Sequence, residues 1–189
     1  VNNKQEMWDR INYLADEQSF FLMERFIPGN IYHVDTIIND RKIVFGLASK
    51  YGTPPFEVAH QGRVFTSKTL DSKSEEAKEV LDLNAKVLKA LGLLRGVSHS
   101  EFIRAEDGKL YFLETSARVG GANLSSLVEA ATRINLWREW AKIEILNGEK
   151  PYVLPKVTND FAAIITSLSK QEWPDLDAYI EPEVWWRLK

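Results

Sequence analysis

Apolar positions along the chain change their spacing several times, and each change marks an element. Between Lys4 and Gln18 they fall at Met7, Ile11 and Leu14, a helical period that predicts a lead-in helix. Ser19 to Ile27 reads SFFLMERFI, an apolar and aromatic run that predicts a buried strand ended by Pro28-Gly29. Ile31 to Ile38 and Lys42 to Ala48 flank Asn39-Asp40 and read as an antiparallel pair. Ser49 to Ser72, with Pro54-Pro55 and Gly62, is polar and irregular, and predicts a loop crossing an open cleft. Ser74 is a good N-cap with Glu75 and Glu76 behind it. The stripe Ala77, Leu81, Ala85, Leu88 and Leu91 then predicts a helix closed by Gly92.

A second strand pair spans Glu101 to Glu114. Gly120-Gly121 opens a helix from about Asn123 to Thr132, Leu136 to Leu146 reads as another, and Phe161 to Leu168 is a strand candidate. Hairpins with helices between them, without regular βαβ alternation, predict an α+β fold. The expected organisation is a lead-in helix over 1–18, a main unit over 19–148 and a C-terminal extension over 149–189. The chain begins at Val1 and ends just after Trp185-Trp186, so a fragment of a longer protein is expected.

Composition adds mostly exclusions. The 189 residues are 44% hydrophobic and 27% charged, enough to bury the core of one domain or one and a half. A net charge of −3 gives no electrostatic footprint for nucleic acid or an anionic membrane. With no cysteine, a disulfide framework, a cysteine nucleophile and a thiolate metal site are excluded, and a reducing cytoplasm is the expected location. No apolar run approaches the roughly 18 residues of a membrane span. A homo-oligomer stays open.

Residues 101–114, EFIRAEDGKLYFLE, carry the chemistry. Asp107-Gly108 is a two-residue hairpin signal, because Gly tolerates the positive φ such turns require. A turn centred there sets Glu101 opposite Glu114, Ile103 opposite Phe112 and Ala105 opposite Leu110. Directly opposed like charges destabilise a sheet, and two close carboxylates need a cation to stay ionised. A frayed hairpin end would leave both acids in water. Magnesium, a hard ion held by carboxylates and substrate phosphates, would bind them. The residues after Glu114 favour the ion. Ser116 adds a hydroxyl, Arg118 a planar fork suited to phosphate oxygens, and Gly120-Gly121 ahead of a helix an anion-binding terminus.

In these residues the sequence resembles the ATP-grasp superfamily, carboxylate–amine or carboxylate–thiol ligases that bind ATP between two α+β lobes. The C-terminal lobe of that fold, an antiparallel sheet of hairpins with packed helices, ends in Glu, a spacer and E-x-N-x-R. Here this reads Glu101, Glu114, Ser116 and Arg118, with Ser where Asn is usual. The approach GVSHSEF (96–102) fits, as does FFLMERFIPG (20–29), which resembles the hinge strand (19–29) joining the lobes. The resemblance covers roughly residues 19–146, and the E-T-S-A-R-x-G-G variant is similar to the L-amino-acid ligase and carnosine-synthase-like branch.

The resemblance implies Glu101 and Glu114 as Mg2+ ligands (Mn2+ as a substitute), Ser116 as a weaker third, and Arg118 on the phosphates or an acyl phosphate. It implies Gly120 and Gly121 beside the nucleotide, backbone groups of Arg25 and Ile27 on adenine, and Glu24 supporting the hinge. Partners would be ATP, a carboxylate and an amine, amino acids among them. Two departures stand: Ile31 is where many relatives have a ribose-binding Glu, and the glycine-rich phosphate flap and strand lysine of the N-terminal ATP-binding lobe are not seen ahead of the hinge. With Ser116 in place of Asn, they motivate a second reading, a non-catalytic nucleotide-binding or interaction module. Elsewhere, His99 shares the face of Glu101 and reads as structural or as a support behind that metal ligand, and His33 as structural or partly exposed. Asp35 reads as a polar cleft residue, His60 and Arg63 as substrate contacts in the cleft loop, and the six tryptophans mainly as core or interface.

Overall fold

The computed structural model describes residues 1–61, 64–166 and 173. Among them six strands form one sheet: β1 (Gly29–Asn39), β2 (Lys42–Tyr51), β3 (Phe65–Thr69), β4 (Gly96–Ala105), β5 (Leu110–Ser116) and β6 (Ala163–Thr166). Their order is β5-β4-β1-β2-β3-β6, and every pairing is antiparallel. The helices are α1 (Lys4–Leu14), α2 (Pro55–Gln61), α3 (Glu75–Leu91), α4 (Leu124–Thr132) and α5 (Leu136–Leu146). The α+β reading stands.

Alternation along each strand sorts side chains onto two faces, and helices cover both. Tyr32, Val34, Ala48 and Phe102 pack on α3 through Ala77 and Val80. On the opposite face Ile37, Phe45, Leu47 and Val97 pack on α4 and α5 through Val128, Ala131, Leu136 and Ile143. Central β1 is therefore buried continuously from Ile31 to Ile38, polar residues included.

Several expectations need correction. Residues 19–27 are not a buried strand. Ala15–Phe20 form a 3-10 helix and 21–28 have no regular structure, with Phe20, Leu22 and Phe26 more than four-fifths exposed. A strand needs a neighbour for its backbone groups, and none of the six runs beside this segment. Nor is 49–72 one loop, since it holds the end of β2, α2 and β3. The inward residues of β3 include Ser67 and Thr69, so its alternation carries little hydrophobic contrast.

In α3 the Ser74 cap holds, its Oγ accepting from the Ala77 amide at 3.1 Å. The buried stripe is Ala77, Val80, Asn84 and Leu88, while Ala85 and Leu91 are exposed. Asn84 disguised it: its amide donates to Thr36 Oγ1 at 2.9 Å in the buried interface. Trp8, Trp137 and Trp173 are exposed rather than core residues. Of the remaining expectations, Gly62, Arg63, the end of the 161–168 strand and Trp185-Trp186 lie outside the described residues.

Candidate functional site

The β4–β5 hairpin delivers the predicted acid pair by an unpredicted route. Gly108, at φ 80°, closes the turn with its amide donating to the Ala105 carbonyl at 2.9 Å. The ladder beyond sets Arg104 opposite Leu110, Ile103 opposite Tyr111 and Phe102 opposite Phe112, so the expected Ile103–Phe112 and Ala105–Leu110 pairs do not form. The register then shifts at a bulge, leaving Leu113 as the extra residue. Past it, Glu101 lies opposite Glu114 and His99 opposite Ser116. The two acids meet as expected because a one-residue shift at the turn is undone by one bulge.

The neighbouring strand makes this a site. β1 pairs with β4 so that His33 lies beside Glu101 and Asp35 beside His99. Asp35 is fully buried, yet both its oxygens are matched: Oδ2 takes His33 Nδ1 at 3.0 Å and Oδ1 takes His99 Nδ1 at 2.9 Å. His33 Nε2 lies 2.7 Å from Ser67 Oγ on β3. His99 Nε2 faces Glu101 Oε1 at 3.5 Å, and the Tyr51 hydroxyl from β2 donates to the same oxygen at 2.7 Å.

These contacts set protonation. Burial works against ionised Asp35, but the bonds from His33 and His99 outweigh it and hold its carboxyl at about 2. Burial likewise opposes a charged His99, yet Asp35 and Glu101 on either side lift it to about 9. Glu101 is held below the usual carboxylate range, His99 and Tyr51 overcoming its burial. Burial and the adjacent Glu101 carboxylate push the Tyr51 hydroxyl far upward. The His99 ring thus lies between two carboxylates, Asp35 and Glu101, that favour its protonated form.

His33, Asp35 and His99 bring ligand atoms within 4.8 Å of one another, a spacing that could hold a metal ion. Each Asp35 oxygen is already engaged by an imidazole, so the trio is a hydrogen-bonded unit as it stands. The glutamates differ. Glu101 has its second oxygen, Oε2, without a hydrogen bond among the described residues, and Glu114 is exposed with none. With Ser116 they are hard oxygen donors, the set magnesium takes.

Arg118 lies in the loop after β5, exposed, its Nη1 donating to the Val119 carbonyl at 2.9 Å. Gly120 is buried, and a Cβ there would fall 2.8 Å from His99 Nδ1 and 3.0 Å from Asp35 Oδ1. Gly121 is exposed, with nothing near its missing Cβ. Asn123, which precedes α4, makes no side-chain cap, and the Leu124 and Ser126 amides donate instead to the Gly121 and Asn123 carbonyls at 2.9 Å. Glu24 and Arg25 are exposed and Ile27 is half-buried against the Ile31–Ile103–Leu124 cluster. Arg25 and Ile27 line a shallow cavity of about 240 Å3 against the β4–β5 turn, apart from the acid pair. His60 lies on α2, exposed and stacked on Phe56.

Sequence patterning undervalued Asp35 and His33 and missed Tyr51 and Ser67. One signal was present: His33-x-Asp35 and His99-x-Glu101 are two-residue steps on two strands, each putting its pair on one face. Tyr51 and Ser67 sat in the stretch read as a loop.

No family model matches the chain. It is 28% identical over 142 residues to an L-arginine-specific L-amino acid ligase of Bacillus subtilis, a match covering 75% of this chain and 34% of that protein. A crystal structure of an L-amino acid ligase from Bacillus licheniformis matches with a TM-score of 0.57 at 21% identity, over 75% of this chain and 35% of that one. The biotin carboxylase domain of Hydrogenobacter thermophilus 2-oxoglutarate carboxylase, in complex with MgADP, matches at 0.60 and 18% identity, over 85% and 36%. The chain thus spans about a third of the length of the relatives it matches. The mixed helix and antiparallel-sheet fold of this chain matches that of ATP-grasp domains.

Proposed function

We propose that the chain is the metal- and nucleotide-binding part of a larger cytoplasmic ATP-grasp ligase that joins a carboxylate to an amine. One observation carries the reading: Glu101 and Glu114 stand face to face across β4 and β5, each with a carboxylate oxygen free of hydrogen bonds among the described residues. These two and Ser116 would hold Mg2+, or Mn2+ in its place. The ion, when bound, neutralises charge on the ATP phosphates. Arg118 would orient phosphate oxygens with its planar fork, and the Gly120-Gly121 loop would offer backbone amides to the same anion. Backbone groups of Arg25 and Ile27 would meet adenine, with Glu24 beside them. A carboxylate phosphorylated by ATP becomes an acyl phosphate that an amine attacks, forming an amide and releasing phosphate. The L-amino acid ligase names of two relatives support amino acids as the substrate class.

ATP-dependent phosphate release by the whole protein with pooled amino acids tests this, with Glu114→Gln as control. We expect release to fall at least 100-fold in the variant, and equal rates would sink the ligase reading. A second reading, a nucleotide-binding module without catalysis, is favoured by Ile31. That residue, where many relatives of the resembled family have a ribose-binding Glu, has no group to hydrogen-bond a ribose hydroxyl and is buried against Ile103. ATP binding without phosphate release would select it.

A further inference from the structure

We propose that Asp35, His99 and Tyr51 are positioning residues for Glu101, holding its Oε1 so that Oε2 is presented to a divalent cation; the inference rests on the metal reading of the acid pair. Tyr51 and His99 approach one oxygen of that carboxylate and leave the other free. His99 is itself oriented by Asp35 at 2.9 Å, and Asp35 by His33 at 3.0 Å, with Ser67 at 2.7 Å closing the series. The chain of contacts runs through β3, β1 and β4, with β2 supplying Tyr51, so four strands fix one carboxylate. Gly120 seals its back, since any Cβ there would strike His99 and Asp35. Glu114 has no comparable support and is exposed. One ligand is held in place before the ion arrives, and the other adjusts to it. Outer partners that orient metal ligands are worth about 10- to 100-fold in affinity.

Mn2+ alone, titrated into the chain and followed by electron paramagnetic resonance, is the probe. Glu101→Gln and Glu114→Gln should abolish binding. Tyr51→Phe, which keeps the ring packing, and His99→Asn, which keeps a group near Nδ1 but none near Nε2, should each weaken it about 10-fold. His99→Gln, whose amide nitrogen falls near Nε2, should recover part of the loss. Circular dichroism melts accompany each variant, because a purely structural role would lower the midpoint without moving the affinity of the folded protein. If the unmutated chain binds no Mn2+, or if binding survives both glutamate changes, the metal reading and this inference fall together. If binding needs both glutamates yet stays within twofold in Tyr51→Phe and His99→Asn, only the positioning role is overturned.

Discussion

Burying an ionised carboxylate costs several kcal/mol unless its oxygens are matched, and Asp35 is matched by His33 and His99 with no exposure to water. Asp35→Asn removes the charge that holds two imidazoles, and we expect a loss of about 3 kcal/mol in urea unfolding. The pH dependence has a definite sign. Because the folded carboxyl sits at about 2 against an ordinary 3.8, its stabilisation is fully present above about pH 4 and disappears as pH falls through 2. Between those limits the natural chain should lose about 2 kcal/mol more than Asp35→Asn, measured as the difference between their unfolding free energies at each pH. That His33 and Asp35 share a face was legible from their two-residue spacing. Their complete burial was not. It comes from β1 lying in mid-sheet between helix layers, a property of strand order and of no local stretch.

At the level of elements, the hairpin signal around Gly108 and the Ser74 and Gly92 caps were legible because turns and helix ends have their own chemistry. The α3 stripe was misplaced and β3 overlooked because Asn84, Ser67 and Thr69 occupy inward positions usually filled by apolar side chains. Gly120 and Gly121 stand side by side in the sequence as one anion-binding signal, but in the fold they have different surroundings. Gly120→Ala should cost about 1–3 kcal/mol by urea denaturation, since its Cβ meets His99 and Asp35 at 2.8 and 3.0 Å. Gly121→Ala, in open space, should stay within about 0.5 kcal/mol of the natural chain. Equal costs at the two positions would show that the close approach of the β5–α4 loop to the buried pair does not govern the packing there.

Over the whole molecule, the sheet is covered on both faces, whereas Phe20, Phe21, Leu22, Met23 and Phe26 stand in solvent beside it. So contiguous an apolar stretch binds hydrophobic dyes and favours association. Replacing Phe20, Leu22 and Phe26 with Ser should lower ANS fluorescence and light scattering while leaving unfolding free energy within about 0.5 kcal/mol. A large drop in stability would mean that the stretch packs on the lobe in solution. The bulge at Leu113 has a practical consequence for engineering. Because the facing of Glu101 and Glu114 is set beyond it, a peptide inserted at the exposed tip Glu106–Gly108 is expected to leave the acid pair in register, while altering the cavity that the tip shares with Arg25 and Ile27. A label carried on the β4–β5 turn would then report on that cavity without moving the paired acids.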